Sequence, residues 1–306
     1  MRVLATQSHV VHGYVGNKAA TFPLQCLGWD VDCCNSVQFS NHTGYGLDKV
    51  KGDATTDLQL DNTLRGILQN FPHDYDALLS GYLPHAESIR QMGFHYAEYK
   101  RQNPGALWLL DPVMGDEGKL YVSESVVPEY KRLIFAQDVG IDIITPNQFE
   151  LEVLHGSPVT TLPGLKAVLQ EMHRFIPIIV VSSLDTRLFN DPDHIFVAAS
   201  QIGKSPVILR VPLIDSYFTG IGDIFSALLI DRVYNQRDEL NLVSCVNDTL
   251  NVVQEVLKVT RDSSPRGVTM GSTLMKEAEL RIIECRDLYE GPGEKQELQF
   301  TYKTLY

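Results

Sequence analysis

The chain has 306 residues, enough to bury a sizeable core and ordinary for one α/β domain, so a single domain over 1–306 is expected. Its 38 acidic against 26 basic residues give a formal charge of -12, which repels phosphate backbones and anionic lipid and argues against nucleic acid and membrane as partners. No stretch approaches the roughly 18 consecutive apolar residues of a membrane span, and the apolar start at Met1 turns polar by Gln7, too early for a signal-peptide core. A cytoplasmic protein is expected, with the nucleus also open to it. The cysteines, Cys26, Cys33, Cys34, Cys245 and Cys285, lack C-x-x-C spacing, so reduced, mostly buried thiols are expected rather than disulfides or a zinc finger.

Short β-rich runs alternate with longer helical patterns, which predicts βαβ units around a mostly parallel sheet. Val3 to Thr6 reads as the first strand, broken at Ser8-His9, and a helix follows from about Lys18 to Gly28. Val31 to Val37 is the second strand; a polar loop, Ser40 to Gly46, leads to a helix near 56–70 and a buried strand, Ala77 to Ser80. A helix over 86–102 precedes the strand Leu107 to Leu110, which runs into Asp111-Pro112, and the strand Ile141 to Ile144 runs into Thr145-Pro146-Asn147. Further strands are expected at 178–181, 194–199 and 206–211, the last two antiparallel because the gap is too short for a crossover helix. The last third reads as helical from Gly222-Asp223 to about 288, with a polar break at Asp262 to Gly267. A tail over 298–302 either adds a late edge strand or is disordered.

In open α/β sheets ligands bind beyond the carboxyl ends of the strands, where this chain places its polar residues. Gly220-Ile221-Gly222-Asp223 opens an apolar helix; glycines let the backbone approach an anion, and the helix N-terminus aims free N–H groups and its positive end at it. Asp223, in the first turn, could take or orient the proton of an attacking hydroxyl while the glycine amides hold the charge on a transferring phosphoryl group. The helix terminus is expected to lower its pKa. An ordinary glycine turn with an aspartate cap is the alternative for this segment taken alone. Gly220-Ile221-Gly222 continues with Phe225 where a dinucleotide fingerprint needs Gly or Ala, and Gly203-Lys204-Ser205 lacks the first glycine of a P-loop.

Asp111 to Gly118 places Asp111, Asp116 and Glu117 just past a strand, oxygen ligands of the kind magnesium shares with substrate phosphates. A solvated acidic turn explains them equally well in isolation. Asn147 and Glu150 have capping-box spacing, so Glu150 either serves the site or only caps a helix. His9 and His12 lack a third ligand for zinc and fit a hydrogen-bonding substrate wall better. Cys33 and Cys34, on opposite faces of a strand, are expected to pack in the core.

Taken together, these residues resemble the pyridoxal kinases of the ribokinase-like superfamily, of the eukaryotic, fungal-like kind. The resemblance is carried by Gln7-Ser8-His9-Val10 with Gly13-Tyr14-Val15-Gly16-Asn17, by Asn35 to Gly44, by Gly81-Tyr82, by Asp111 to Asp116, by Thr145 to Glu150 and by Gly220 to Asp223, and it covers residues 3 to about 235. It implies a three-layer α/β/α fold and ATP-dependent phosphorylation of the 5′-hydroxymethyl group of pyridoxal, pyridoxine and pyridoxamine. It also implies Asp223 as general base, Gly220 and Gly222 as anion hole, and Ser8, Val15, Thr43, Tyr82 and Phe218 around the vitamer. Asp111, Asn147, Glu150, Ser182, Ser183, Thr219 and Tyr121 are implied on the nucleotide side. The metal side, Asp111, Asp116, Glu150 and Thr145, would take magnesium, or another divalent ion such as zinc, with a monovalent cation such as potassium near Thr145 and Ser182 or Ser183. A homodimer is implied as well. Ile221 stands where relatives carry a small residue or threonine, and Thr219 is placed to supply the hydroxyl. A hydroxymethylpyrimidine or sugar kinase of the same superfamily, or a catalytically silent vitamer-binding protein, are the competing readings.

Overall fold

The computed structural model describes residues 1–263, 275–290 and 300–305. Ten strands form one sheet in the order β12-β11-β10-β9-β8-β5-β4-β1-β2-β3. They are β1 (Arg2–Val10), β2 (Asp30–Phe39), β3 (Gly52–Ala54), β4 (Ala77–Ser80), β5 (Leu107–Leu110), β8 (Ile143–Ile144), β9 (Ile178–Leu184), β10 (His194–Gln201), β11 (Val207–Pro212) and β12 (Thr301–Thr304). The run from β2 through β1, β4, β5 and β8 to β9 is parallel. The flanking strands β3, β10, β11 and β12 pair antiparallel. A separate small hairpin joins β6 (Gly115–Asp116) to β7 (Lys119–Leu120).

The parallel strands are apolar on both faces, and their alternation sorts side chains into two cores. Val3, Ala5, Ala77, Leu79, Leu109, Ile143 and Val180 face one core. Leu4, Leu78, Trp108, Leu110, Ile144, Ile179 and Val181 face the other. The first core is closed by α1 (Asn17–Cys26), α7 (Ile221–Asn235) and α8 (Leu242–Ser263). The second is closed by α2 (Asp57–Asn70), α3 (Ala86–Gln102), α4 (Val126–Ile134), α5 (Gln148–His155) and α6 (Leu162–Met172). Helices on both faces are what a parallel sheet requires, because neither face can be left to water. The result is the expected three-layer α/β/α architecture. Burial of Trp108 is complete, and its ring N–H donates to Ser80 Oγ at 3.0 Å; truncation of such a residue to alanine costs about 3–5 kcal/mol.

β1 leads to β2 on one side of it, while β4 pairs on the other. This reversal of strand order opens a crevice at the carboxyl ends of the strands. The break anticipated at Ser8-His9 is a bulge: β1 pairs with β2 through Gln7 opposite Asn35, then resumes at His9 opposite Gln38. β1 therefore runs on to Val10 instead of ending at Thr6.

Other boundaries shifted too. Strand β8 keeps only Ile143–Ile144 of the expected 141–144. Helix α8 continues through Asp262 and Ser263, since the polar side chains there lie on an exposed turn; the rest of the anticipated break, 264–267, lies outside the described residues. The tail does supply an edge strand, displaced to Thr301–Thr304, where it pairs with β11; residues 298 and 299 fall outside the description. Cysteine packing holds for Cys34, Cys245 and Cys285, but Cys33 is exposed and Cys26 half-buried. On β2 one face meets α2 and the sheet core, while Cys33 looks outward to Thr21, 3.1 Å from its hydroxyl.

Candidate active site

Helix α7 begins without a side-chain cap. Gly220 sits at its N-cap in the left-handed region (φ 88°), and a Cβ there would come within 2.2 Å of Tyr14 O, so only glycine allows this approach. With no cap, the first-turn N–H groups remain available to an anion. Gly222 is exposed, and a Cβ on it would lie 3.4 Å from Asp111 Oδ2. Ile221 turns towards the first core and presents no polar group.

Asp223 follows on the same turn, half-buried, with Gly16 N–H as a backbone donor to its carboxylate. Burial pushes its pKa up to about 6, against the opposing pull of that donor. The value is raised where a lowered one was expected, because desolvation of the carboxylate outweighs the one N–H donor. A group near 6 is a better base at neutral pH than an ordinary aspartate. Gly16, at φ 53°, could not carry a Cβ, which would meet Ser8 O at 2.0 Å. Ser8, on the bulge of β1, thus lies against the same loop that serves Asp223.

Across the sheet edge, Asp111 is buried at the end of β5, and its pKa lies well above the usual carboxylate range through burial and the charges of Glu150 and Asp223. Ser226 Oγ donates to Asp111 Oδ2 at 3.3 Å and lies 3.0 Å from Thr145 Oγ1. Ser226 joins two anticipated site residues but was itself missed; the available signal was a small polar residue one turn after Asp223 in the otherwise apolar stretch Ile224 to Ile230.

Glu150 caps α5 and also holds the segment that follows Asp111. It forms the capping box of α5 with Asn147, whose N–H donates to its Oε2 at 3.0 Å. Its Oε1 accepts from Met114 N–H at 2.8 Å and Gly115 N–H at 3.3 Å. Burial nevertheless raises its pKa to about 7. Asn147 is committed as well: Oδ1 accepts from Glu150 N–H and Nδ2 donates to Gly115 O, both at 2.8 Å. The pair fixes the segment entering the β6–β7 hairpin, where Asp116 is exposed and Tyr121 follows, 64% exposed. Partial desolvation and the charge of Asp116 push the Tyr121 phenol up to about 12.

Ser182 is half-buried on β9 and donates from its backbone to Pro146 O at 2.9 Å, with Ser183 half-buried beside it. Thr219 Oγ1 is buried without a protein partner among the described residues. Of the residues expected around the vitamer, Val15, Tyr82 and Phe218 are half-buried; Tyr82 O accepts from Ser36 Oγ at 2.6 Å and Phe218 packs on the first core. Thr43 is exposed at the tip of its loop. His9 is half-buried, with its pKa lowered by burial and by Lys18.

Among the described residues no lysine or arginine forms an ion pair with Asp111, Glu150 or Asp223, and no group of three or more ligating side chains makes a complete metal cage. Buried carboxylates without a counter-charge fit a hard divalent cation that completes its shell with phosphates and water. Glu150 Oε2 accepts one N–H and keeps a lone pair.

No protein-family model matches the chain. It is 60% identical over 296 residues to BUD16, a candidate pyridoxal kinase of Saccharomyces cerevisiae, covering 94% of this chain and 95% of that one. The pyridoxal kinase of Bos taurus is 35% identical over 307 residues, covering 95% and 96%. Among solved structures, pyridoxal kinase from Leishmania donovani in complex with ADP and pyridoxine superposes with a TM-score of 0.85 at 32% identity, over 100% of this chain and 99% of that one. The uncapped glycine turn with its raised carboxylate, the sheet order that positions it and these full-length likenesses converge, and the chain belongs to the pyridoxal kinase family of the ribokinase-like superfamily.

Proposed function

We propose that the protein transfers the γ-phosphoryl group of ATP to the 5′-hydroxymethyl oxygen of pyridoxal, and of pyridoxine and pyridoxamine, as one kinase domain. The observation that carries this reading is Asp223, a carboxyl with a pKa of about 6 on the uncapped first turn of α7. Asp223 takes the proton of the 5′-hydroxyl as that oxygen bonds to the γ-phosphorus. The bond from the γ-phosphorus to the bridging oxygen of ADP breaks, and ADP leaves with the electron pair. The N–H groups of the turn bearing Gly220 and Gly222 stabilise the charge on the phosphoryl oxygens in flight.

Magnesium, when bound, offsets the charge of the nucleotide phosphates; Asp111 and Glu150 are the residues that would hold it, with Asp116 on the hairpin facing the nucleotide. Zinc is an alternative ion. A monovalent cation such as potassium is proposed near Thr145, Ser182 and Ser183. Asn147 holds Glu150 through Oδ1 and Gly115 through one Nδ2–H, and its second Nδ2–H is left to approach the phosphates. Thr219, with its unpartnered hydroxyl, and Tyr121 complete the nucleotide side. Ser8, Val15, Thr43, Tyr82 and Phe218 would surround the ring.

The five free cysteines support a reducing compartment, the cytoplasm or nucleus. A homodimer rests on family membership alone, and light scattering on the purified protein tests it. The activity is tested by ADP release with pyridoxal, pyridoxine, pyridoxamine, hydroxymethylpyrimidine and ribose. Turnover with the B6 vitamers is expected. Turnover with only the pyrimidine or the sugar would reassign the substrate, and vitamer binding without ADP release would mark a silent carrier.

A further inference from the structure

Glu279 lies beyond the sequence motifs, in the last part of the chain, and is 8% exposed. Its carboxylate gathers two loops that bear site residues. Oε2 accepts from Tyr14 N–H at 2.9 Å. Oε1 accepts from the Tyr45 hydroxyl at 3.0 Å and from His42 Nε2 at 3.1 Å. His42 Nδ1 in turn accepts from Gly44 N–H at 3.2 Å, so the ring proton sits on Nε2 and faces Glu279. The approach is close enough that a Cβ on Gly13 would meet Glu279 Oε1 at 2.2 Å. Despite its burial, Glu279 has a lowered pKa, because His42, Tyr14 and Tyr45 supply the hydrogen bonds that water would otherwise give.

Each loop leads directly to the site. Tyr14 is two residues before Gly16, the backbone donor to Asp223, and its carbonyl is the atom that forbids a side chain on Gly220. His42 and Tyr45 flank Thr43. We propose that Glu279 is a positioning residue for the phosphoryl transfer, one carboxylate that fixes the base-bearing loop through Oε2 and the vitamer loop through Oε1. The inference rests on the kinase reading above.

The two oxygens make the two effects separable. In Glu279→Gln the amide oxygen can keep the paired donors from His42 and Tyr45, which leaves the amide N–H₂ opposed to Tyr14 N–H, a donor against a donor. This variant should lower kcat about tenfold, the range expected when a buried hydrogen bond to a charge is lost, with the pyridoxal KM within twofold. Tyr45→Phe removes one donor on the other side and should raise the pyridoxal KM about threefold to fivefold with kcat within twofold. The KM for ATP should stay within twofold in both. Amide hydrogen exchange offers a reading independent of activity: the Tyr14 amide should exchange at least tenfold faster in Glu279→Gln and at the wild-type rate in Tyr45→Phe. Wild-type protein that turns over no vitamer defeats the kinase reading itself. Active wild type with both variants unchanged in kcat and KM, or variants in which ATP and pyridoxal parameters fall together with thermal stability, overturns the role given to Glu279.

Discussion

Asp223 and Glu150 are both carboxyls with raised pKa at the carboxyl edge of one sheet, yet they are held in opposite ways. Glu150 is buried under three backbone N–H donors and ties α5 to the hairpin segment. Asp223 is half-buried with the single donor of Gly16. The charge on Glu150 is costly, but its hydrogen bonds return stability to the fold. That on Asp223 is costly and only weakly compensated, which is how reactive groups are kept at the expense of stability. Removing the two side chains should therefore move stability in opposite directions.

The largest effect is expected at Asp223. Asp223→Asn should lower kcat by about a thousandfold, within the range for loss of a general base, with little change in the pyridoxal KM. The stability sign follows from linkage. The carboxyl ionises near 3.8 when unfolded and near 6 when folded, so the folded state loses stability as pH rises between these values and bears the full penalty above them. That penalty is about 3 kcal/mol. At pH 8 the asparagine variant should thus melt about 2–5 °C higher, checked by thermal denaturation beside the ADP assay. In the wild type, kcat/KM for pyridoxal should fall as pH drops through about 6, where Asp223 takes up its proton. A flat profile down to pH 5, or a variant that is both inactive and less stable, would remove Asp223 from this role.

Glu150→Ala should show the reverse sign. Three backbone N–H groups would lose their acceptor at about 1–3 kcal/mol each, at least matching the roughly 3 kcal/mol regained by no longer burying the charge. A lower melting temperature and a tenfold to hundredfold loss of kcat are expected, the latter because the 114–115 segment beside Asp111 is released. In the wild type the magnesium concentration for half-maximal rate should climb as pH falls below about 7, where Glu150 takes up a proton. A stable Glu150→Ala enzyme with normal kcat would show that the capping box is dispensable and end the contrast with Asp223.

What the sequence made legible follows the same division. Short apolar runs and the punctuation of Asp111-Pro112 and Thr145-Pro146-Asn147 are local signals, so the sheet and its polar edge could be read from them, whereas the Asp223 turn taken alone left an ordinary cap as the alternative. The capping spacing of Asn147 and Glu150 was equally local, and it left two readings open because a cap and a site wall use the same carboxylate. The Glu279 cluster was not legible: Tyr14, His42 and Tyr45 are separated from it by 265, 237 and 234 residues, and nothing in the composition of either segment announces the meeting. The pKa of Asp223 was misjudged for a related reason. A helix terminus can be read from adjacent residues, whereas burial depends on loops that arrive from β1.

The smallest expected effect sharpens the comparison from within α7. Ser226 is one turn past Asp223, buried, and joins Thr145 to Asp111. Ser226→Ala keeps the helix and the apolar packing but takes a donor from Asp111, whose raised pKa the hydroxyl opposes. Asp111 should then hold its proton to higher pH and yield it less readily to a cation. A threefold to tenfold rise in the magnesium concentration for half-maximal rate is expected at pH 7, about 1 kcal/mol for one hydrogen bond, shrinking as pH rises because the carboxyl is then ionised in both proteins. A magnesium curve identical to wild type at every pH would mean that Asp111 does not compete with protons for the metal, and that the acidic side of the site is organised by Glu150 alone.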